Sequence, residues 1–287
     1  MNKPEIELKK ERDFSDVFNA SFAFITQELK KLFQVITLYA GVPIIIAAIM
    51  SAYYAQDTFT SVLKVVQGGT GSNAPSAWLV FLTIIFGMLA QLFISGLVPA
   101  YFGEYEEKGK GNFSSLDVWN RFVRHFGAII GYSIVAGVIM IFGVILLVIP
   151  AIYLWVPLSF ILYVKIIEDK GFGETFSRCF QLIRNNWWIT FGILLLSYLI
   201  ISIVGTLFSI PAMIIAGVEG FLVGSGQQEA VNSDSLAFII TTIVGGLGQY
   251  LIYPVWNIIV GFQYYNLREQ KDRETLMDKV SAINEDA

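Results

Sequence analysis

No aspartate, glutamate, lysine or arginine occurs between Arg124 and Lys165. A single helix of that length would run about 60 Å, twice the ~30 Å hydrocarbon core of a bilayer. The chain must turn within this stretch. Pro150, in Val148-Ile149-Pro150-Ala151, is where the sequence places the turn. The span that follows is short and carries Pro157, so a bent or partly inserted hairpin is one of its readings.

The rest of the chain follows the same rule. Apolar blocks cover 33–54, 77–102, 127–149, 151–167, 187–209 and 235–263, and 55% of the residues are hydrophobic. A span needs about 20 apolar residues. Six spans are expected, and an all-α polytopic membrane protein with them.

Three segments repeat one pattern. Tyr101-x4-Glu106-x-Lys108, Tyr163-x4-Glu168-x-Lys170 and Tyr264-x4-Glu269-x-Lys271 each close an apolar block. Phe14, Phe18, Phe22 and Phe33 share the spacings of Phe172, Phe176, Phe180 and Phe191. Such self-similarity predicts three helical-hairpin repeats, about 14–112, 113–171 and 172–271, within a single membrane domain over 1–271. Each hairpin is expected to follow an interfacial amphipathic helix. The ladder Phe172, Phe176, Phe180, Ile183 lies on one helical face, with Glu174, Arg178, Gln181 and Arg184 mainly off it. The polar tail over 272–287 reads as a short helix that frays. The two outer segments, around Gly68–Asn73 and Gly224–Gln228, read as flexible turns.

Six spans put both termini on one side, and basic residues choose the side. Lys and Arg gather before span one, between spans two and three, between four and five, and after six; the opposite side holds only Lys64. This places both ends in the cytoplasm. No cleavable signal peptide is read in the charged, amphipathic first thirty residues.

The stretch Leu147 to Leu154 is followed by Gly171-Phe172-Gly173-Glu174-Thr175-Phe176-Ser177-Arg178 and by Arg184-Asn185-Asn186-Trp187-Trp188. Together they resemble the membrane domain fused to some bacterial glycerophosphoryl diester phosphodiesterases, and many bacterial six-helix membrane proteins. Arg12-Asp13-Phe14-Ser15-Asp16 and Tyr264-Tyr265-Asn266-Leu267-Arg268 are similar to that group's ends. The resemblance implies a membrane module in the bacterial inner membrane, without the soluble barrel and without hydrolase activity.

Chemistry has few residues to draw on. His125 is the single histidine and Cys179 the single cysteine, so a histidine-rich metal site is excluded within one chain. His125 reads as a satisfied interfacial side chain and Cys179 as a packed one. The glycine-rich outer segments lack the strand, helix and lysine of a phosphate loop. No catalytic, metal or cofactor site is expected, and no nucleic-acid binding, because the basic residues track topology.

Binding candidates remain. Arg121, Arg124, Arg178 and Arg184 form a basic rim suited to lipid headgroups, or to ordinary positive-inside topology. The motif tyrosines read as an interfacial belt, with Glu and Lys marking the exit from lipid, or alternatively the three exits form a shared headgroup or partner site. Gln91, Gln249 and Asn257 are polar residues inside spans and read as helix bridges, or alternatively as a polar path. Gly127-x3-Gly131 reads as a weak helix-packing signal. The expected role is a non-enzymatic module that organises membrane lipids or a membrane-protein partner. The alternative is a transporter or flippase for an apolar or amphipathic molecule.

Overall fold

The computed structural model describes residues 5–68, 76–146, 148–227 and 236–285, with side chains up to Arg273. Of the described residues 88% are helical and none lies in a strand. Six helical stretches are long and apolar enough to cross a membrane. The protein is a multi-pass membrane protein. The glycine-rich Gly69–Asn73 and residues 228–235 beyond the second outer turn lie outside the described residues.

Helix α1 runs Phe14–Val66, α2 Ala77–Lys108 and α3 Ser115–Ile145. Ser114 caps α3: its hydroxyl accepts from the Asp117 N–H at 3.2 Å, and Asp117 accepts from the Ser114 N–H at 2.6 Å. The chain turns where expected. α3 ends at Ile145, and Pro150 sits in the first turn of α4 (Ile149–Leu158), where its missing N–H costs nothing. Gly143 permits this close return, since a Cβ there would lie 2.9 Å from the Ala151 backbone. After Pro157 the helix breaks. It resumes as α5 (Ile161–Tyr163) and widens into a π-helix over Val164–Glu168.

Helix α6 (Phe172–Ile183) is separate from α7 (Trp187–Gly224). Asn185 takes the left-handed region at φ 72 and ends α6 there. No comparable stop exists between Lys31 and Phe33, so the amphipathic start of α1 is continuous with its span. The start of α3 is likewise continuous. Among the described residues a separate short helix precedes only α7, while the stretches before the first and third spans are continuous with them.

Helix α8 runs Leu236–Glu285, so the described part of the polar tail is helical and continuous with the sixth span. The stretch after residue 54 stays helical to Val66 because no glycine or proline interrupts it. Pro43, Pro99, Pro211 and Pro254 all lie inside continuous helices.

The chain divides into two compact units. Unit 1 takes residues within 5–36, 94–199 and 254–285; unit 2 takes 37–93 and 200–253. Unit 1 is built on stacked aromatics. Phe24 lies 4.9 Å from Phe102 and 5.5 Å from Phe262, tying α1, α2 and α8. Tyr163 meets Phe102 at 6.0 Å. Gly261 makes room, because a Cβ there would stand 2.9 Å from the Tyr163 hydroxyl. In unit 2, Phe59 stacks on Phe238 at 5.1 Å. Gly245 brings α8 against α7, where a Cβ would meet the Phe208 carbonyl at 2.9 Å. Gly127 and Gly131, by contrast, have nothing within 4 Å of a would-be Cβ. Close helix packing in this chain uses other glycines.

Candidate functional site

The motif tyrosines are interior residues of unit 1, not an exposed belt. Tyr101, Tyr163 and Tyr264 are all buried, and each hydroxyl has a partner. Tyr101 donates to Glu28 at 2.6 Å, Tyr163 to the Asn257 carbonyl, and Tyr264 to Glu168 at 2.9 Å. The neighbouring Tyr265 donates to Glu106 at 2.7 Å. Thus the glutamates of the first two motifs both reach the third motif's tyrosine pair. A buried phenol needs an acceptor, and a buried carboxylate needs donors, so each satisfies the other.

Cations complete the network. Glu106 also meets Lys9 at 2.8 Å and Arg268 at 3.3 Å. Glu168 meets Arg178 at 3.1 Å, and Arg178 reaches on to Asp272 at 3.0 Å. Glu104 meets Arg121 at 2.7 Å and Lys108 at 2.9 Å; Arg121 also pairs with Glu107. Gly103 accommodates the Arg121 guanidinium, which a Cβ would meet at 2.6 Å. The third motif departs from this pattern: its Glu269 has no such partner among the described residues.

An N-terminal strap lies across the network. The Ile6 N–H donates to the Tyr105 hydroxyl at 3.0 Å, and the Arg12 N–H to Asn266 at 2.8 Å. Leu8 is buried, and Arg12 sits 5.1 Å over the Phe262 ring. Residues before α1 therefore take part in packing.

The four rim arginines fall into two kinds. Arg121 and Arg178 are mostly buried and held by carboxylates. Arg124 and Arg184 are exposed, with no carboxylate partner among the described residues. Arg184 borders a cleft of about 410 Å³ shared with Ser177, Gln181, Asn185, Tyr153 and Trp187. The other three arginines do not line it.

On α6 the buried face is Thr175, Cys179, Leu182 and Ile183, while Phe172 is exposed. The phenylalanine ladder therefore flanks the buried stripe rather than forming it. Tyr132 stacks on Phe172 at 5.3 Å and its hydroxyl reaches Thr175 at 3.2 Å. Burial pushes the Cys179 thiol up to about 12. His125 is buried with Nδ1 at 2.9 Å from the Arg121 carbonyl. Asp169, left-handed at φ 47, accepts from Lys165 at 2.7 Å, which holds its carboxyl below the usual range. Among the described residues no cluster of His, Cys, Asp and Glu could hold a metal ion.

The span polar residues are dispersed. In unit 2, Gln249 of α8 donates to Ser209 of α7 at 3.1 Å, at a cleft of about 420 Å³ that also takes in Ser51, Thr241 and Thr242. Gln91 is half-buried in the same unit. Asn257 is buried in unit 1.

Sequence reasoning missed Glu28, Tyr265 and Arg268 as members of the network. A glutamate in the buried register of α1, alongside Val17, Ser21 and Phe24, was the available signal for Glu28.

Residues 31–262 match a family described as a domain of unknown function (DUF7847), and the chain belongs to that family. Neither a curated protein nor a solved structure matches the chain.

Proposed function

We propose that this protein is a non-enzymatic module of the bacterial cytoplasmic membrane that engages anionic lipid headgroups through its basic residues. The distribution of Lys and Arg supports a cytoplasmic position for both termini, and with them for the carboxylate–tyrosine network. The three-hairpin organisation and the likeness to the phosphodiesterase-associated membrane domain belong to the same reading.

One observation carries it. The four rim arginines divide into those neutralised by carboxylates, Arg121 and Arg178, and those left exposed, Arg124 and Arg184. The neutralised set builds the fold. The exposed set supplies charge for phosphates, each cation contributing about 1 kcal/mol at an anionic surface. α6 supports the reading by lying amphipathically beside exposed Trp188.

The test is lipid co-purification. Protein exchanged from bilayers of equal phosphatidylglycerol and phosphatidylcholine into mild detergent should retain phosphatidylglycerol above its share of the bilayer. Retention in proportion to composition would count against the reading. Orientation is checked separately, with single cysteines at Lys10 and Lys64 in a Cys179→Ser background. An impermeant maleimide applied to intact spheroplasts should reach position 64 and not position 10.

A second reading, passage of an amphipathic small molecule, draws on the unit 2 cleft, where Gln249 and Ser209 place polar groups among Ala212, Met213 and Phe238. It predicts that Gln249→Leu alters flux of such molecules in reconstituted vesicles. Flux equal to protein-free vesicles for both forms would remove it.

A further inference from the structure

We infer that the cleft between the end of α6 and the start of α7 holds one anionic phospholipid headgroup, with Arg184 as the cation facing its phosphate. This deepens the proposed function and rests on it.

The charge pattern is the first argument. Arg121, Arg178 and Arg268 each meet at least one glutamate. Arg184 meets none among the described residues, and no acidic side chain lines its cleft. A cation bordering a concave site without an internal counter-ion is complementary to an external anion. Arginine suits phosphate because its planar fork offers several donors at once.

The cleft has room and donors. Its volume of about 410 Å³ falls in the ~300–1,000 Å³ range of small-ligand sites. Ser177, Gln181 and Asn185 add a hydroxyl and two amides for phosphate and glycerol oxygens. The Ser177–Gln181 contact is a long, exposed 3.3 Å, so exchanging it for a ligand oxygen costs little.

The walls select a lipid over a free anion. Trp187 stacks on Tyr153 at 5.7 Å and on Phe191 at 5.2 Å, and its indole N–H reaches the Tyr153 carbonyl at 3.3 Å. This fixes one rigid aromatic side of the cleft. Next to it along the chain, Trp188 and Ile189 are exposed apolar side chains, with Trp188 at 77%. They offer contact to acyl chains while the polar side takes the headgroup. The fold sets this up locally: left-handed Asn185 ends α6 and turns the chain into α7, leaving Arg184 at the mouth.

Native mass spectrometry of the full chain, released from nanodiscs and titrated with phosphatidylglycerol, tests the assignment. The expected result is one tightly retained phosphatidylglycerol on the wild type. Arg184→Gln should weaken that adduct at least about fivefold, the equivalent of about 1 kcal/mol. Arg184→Lys should keep most of it, and Lys64→Gln should leave this first lipid in place. Thermal melts in detergent check that all variants stay folded, and a variant that melts early is replaced by Gln181→Leu with the same expected loss. An unchanged first adduct in Arg184→Gln overturns the cleft assignment and leaves the broader reading standing. A wild type with no preference for phosphatidylglycerol over phosphatidylcholine removes both. Displacement of the adduct by excess inorganic phosphate would make the cleft a free-anion site and overturn the lipid assignment.

Discussion

The Tyr264 hydroxyl donates a 2.9 Å hydrogen bond to Glu168, across 96 positions of sequence. Both residues belong to the repeated exit pattern, but to different copies of it. One step along, Tyr265 makes the matching bond to Glu106 of the first copy. The pattern is thus a set of cross-connections between α8 and the ends of α2 and the π-helix, made where the chain carries its buried charge. Two tyrosines side by side on one helix join two other elements.

Removing either hydroxyl should therefore loosen the fold without touching any exposed surface. A hydrogen bond to a charged group contributes about 2 kcal/mol. Tyr264→Phe and Tyr265→Phe should each lower stability by about that amount, seen as a drop in the melting temperature of detergent-solubilised protein. Tyr153→Phe, whose side chain is half exposed, should melt like wild type.

The two kinds of arginine should separate in the same assay. Arg178→Ala leaves Glu168 short of a partner in a mostly buried setting, a loss of about 3 kcal/mol for a pair of this kind. Arg184→Ala touches an exposed side chain and should stay within about 0.5 kcal/mol of wild type. Equal stability of the two variants would contradict the division of the rim.

Glycines divide in a similar way. A Cβ at Gly96 would stand 2.6 Å from the Phe122 ring, so Gly96→Val should cost about 1–3 kcal/mol by forcing α2 from α3. Gly127 faces open space, and Gly127→Ala should be neutral or stabilising by up to about 1 kcal/mol through helix propensity. The readout is again the melting temperature of each variant.

Much of this architecture was legible in the sequence. The charge-free run between Arg124 and Lys165 demanded a turn, and Pro150 begins α4 as expected. The apolar blocks gave the six helices because bilayer thickness sets their length. The site was less legible. Tyrosine at the end of an apolar block reads as an interface anchor, and nothing local distinguishes that from a buried phenol whose acceptor is 96 residues away. Arg121 and Arg178 look the same as Arg124 and Arg184 in sequence. What separates them is a carboxylate brought by another helix. The continuity of α1 was missed because an amphipathic stretch and an apolar stretch imply a break only when a stop such as Asn185 lies between them.

Cys179 offers a probe of the packed state. Its thiol is buried and pushed up to about 12, so at pH 8 almost no thiolate is present while the fold holds. Ellman's reagent should react slowly with folded protein. It should react at the rate of an ordinary thiol, with a pKa of about 8.5, once the protein is denatured. Rapid reaction in the folded state would contradict the burial of α6.

The exposed cations are expected to hold anionic lipid at the protein surface. Electron spin resonance of spin-labelled phosphatidylglycerol and phosphatidylcholine around the reconstituted protein addresses this directly. The prediction is a larger motionally restricted fraction for phosphatidylglycerol, reduced by Arg184→Gln and by high salt. Equal restricted fractions for the two lipids, at low salt and in the wild type, would contradict it.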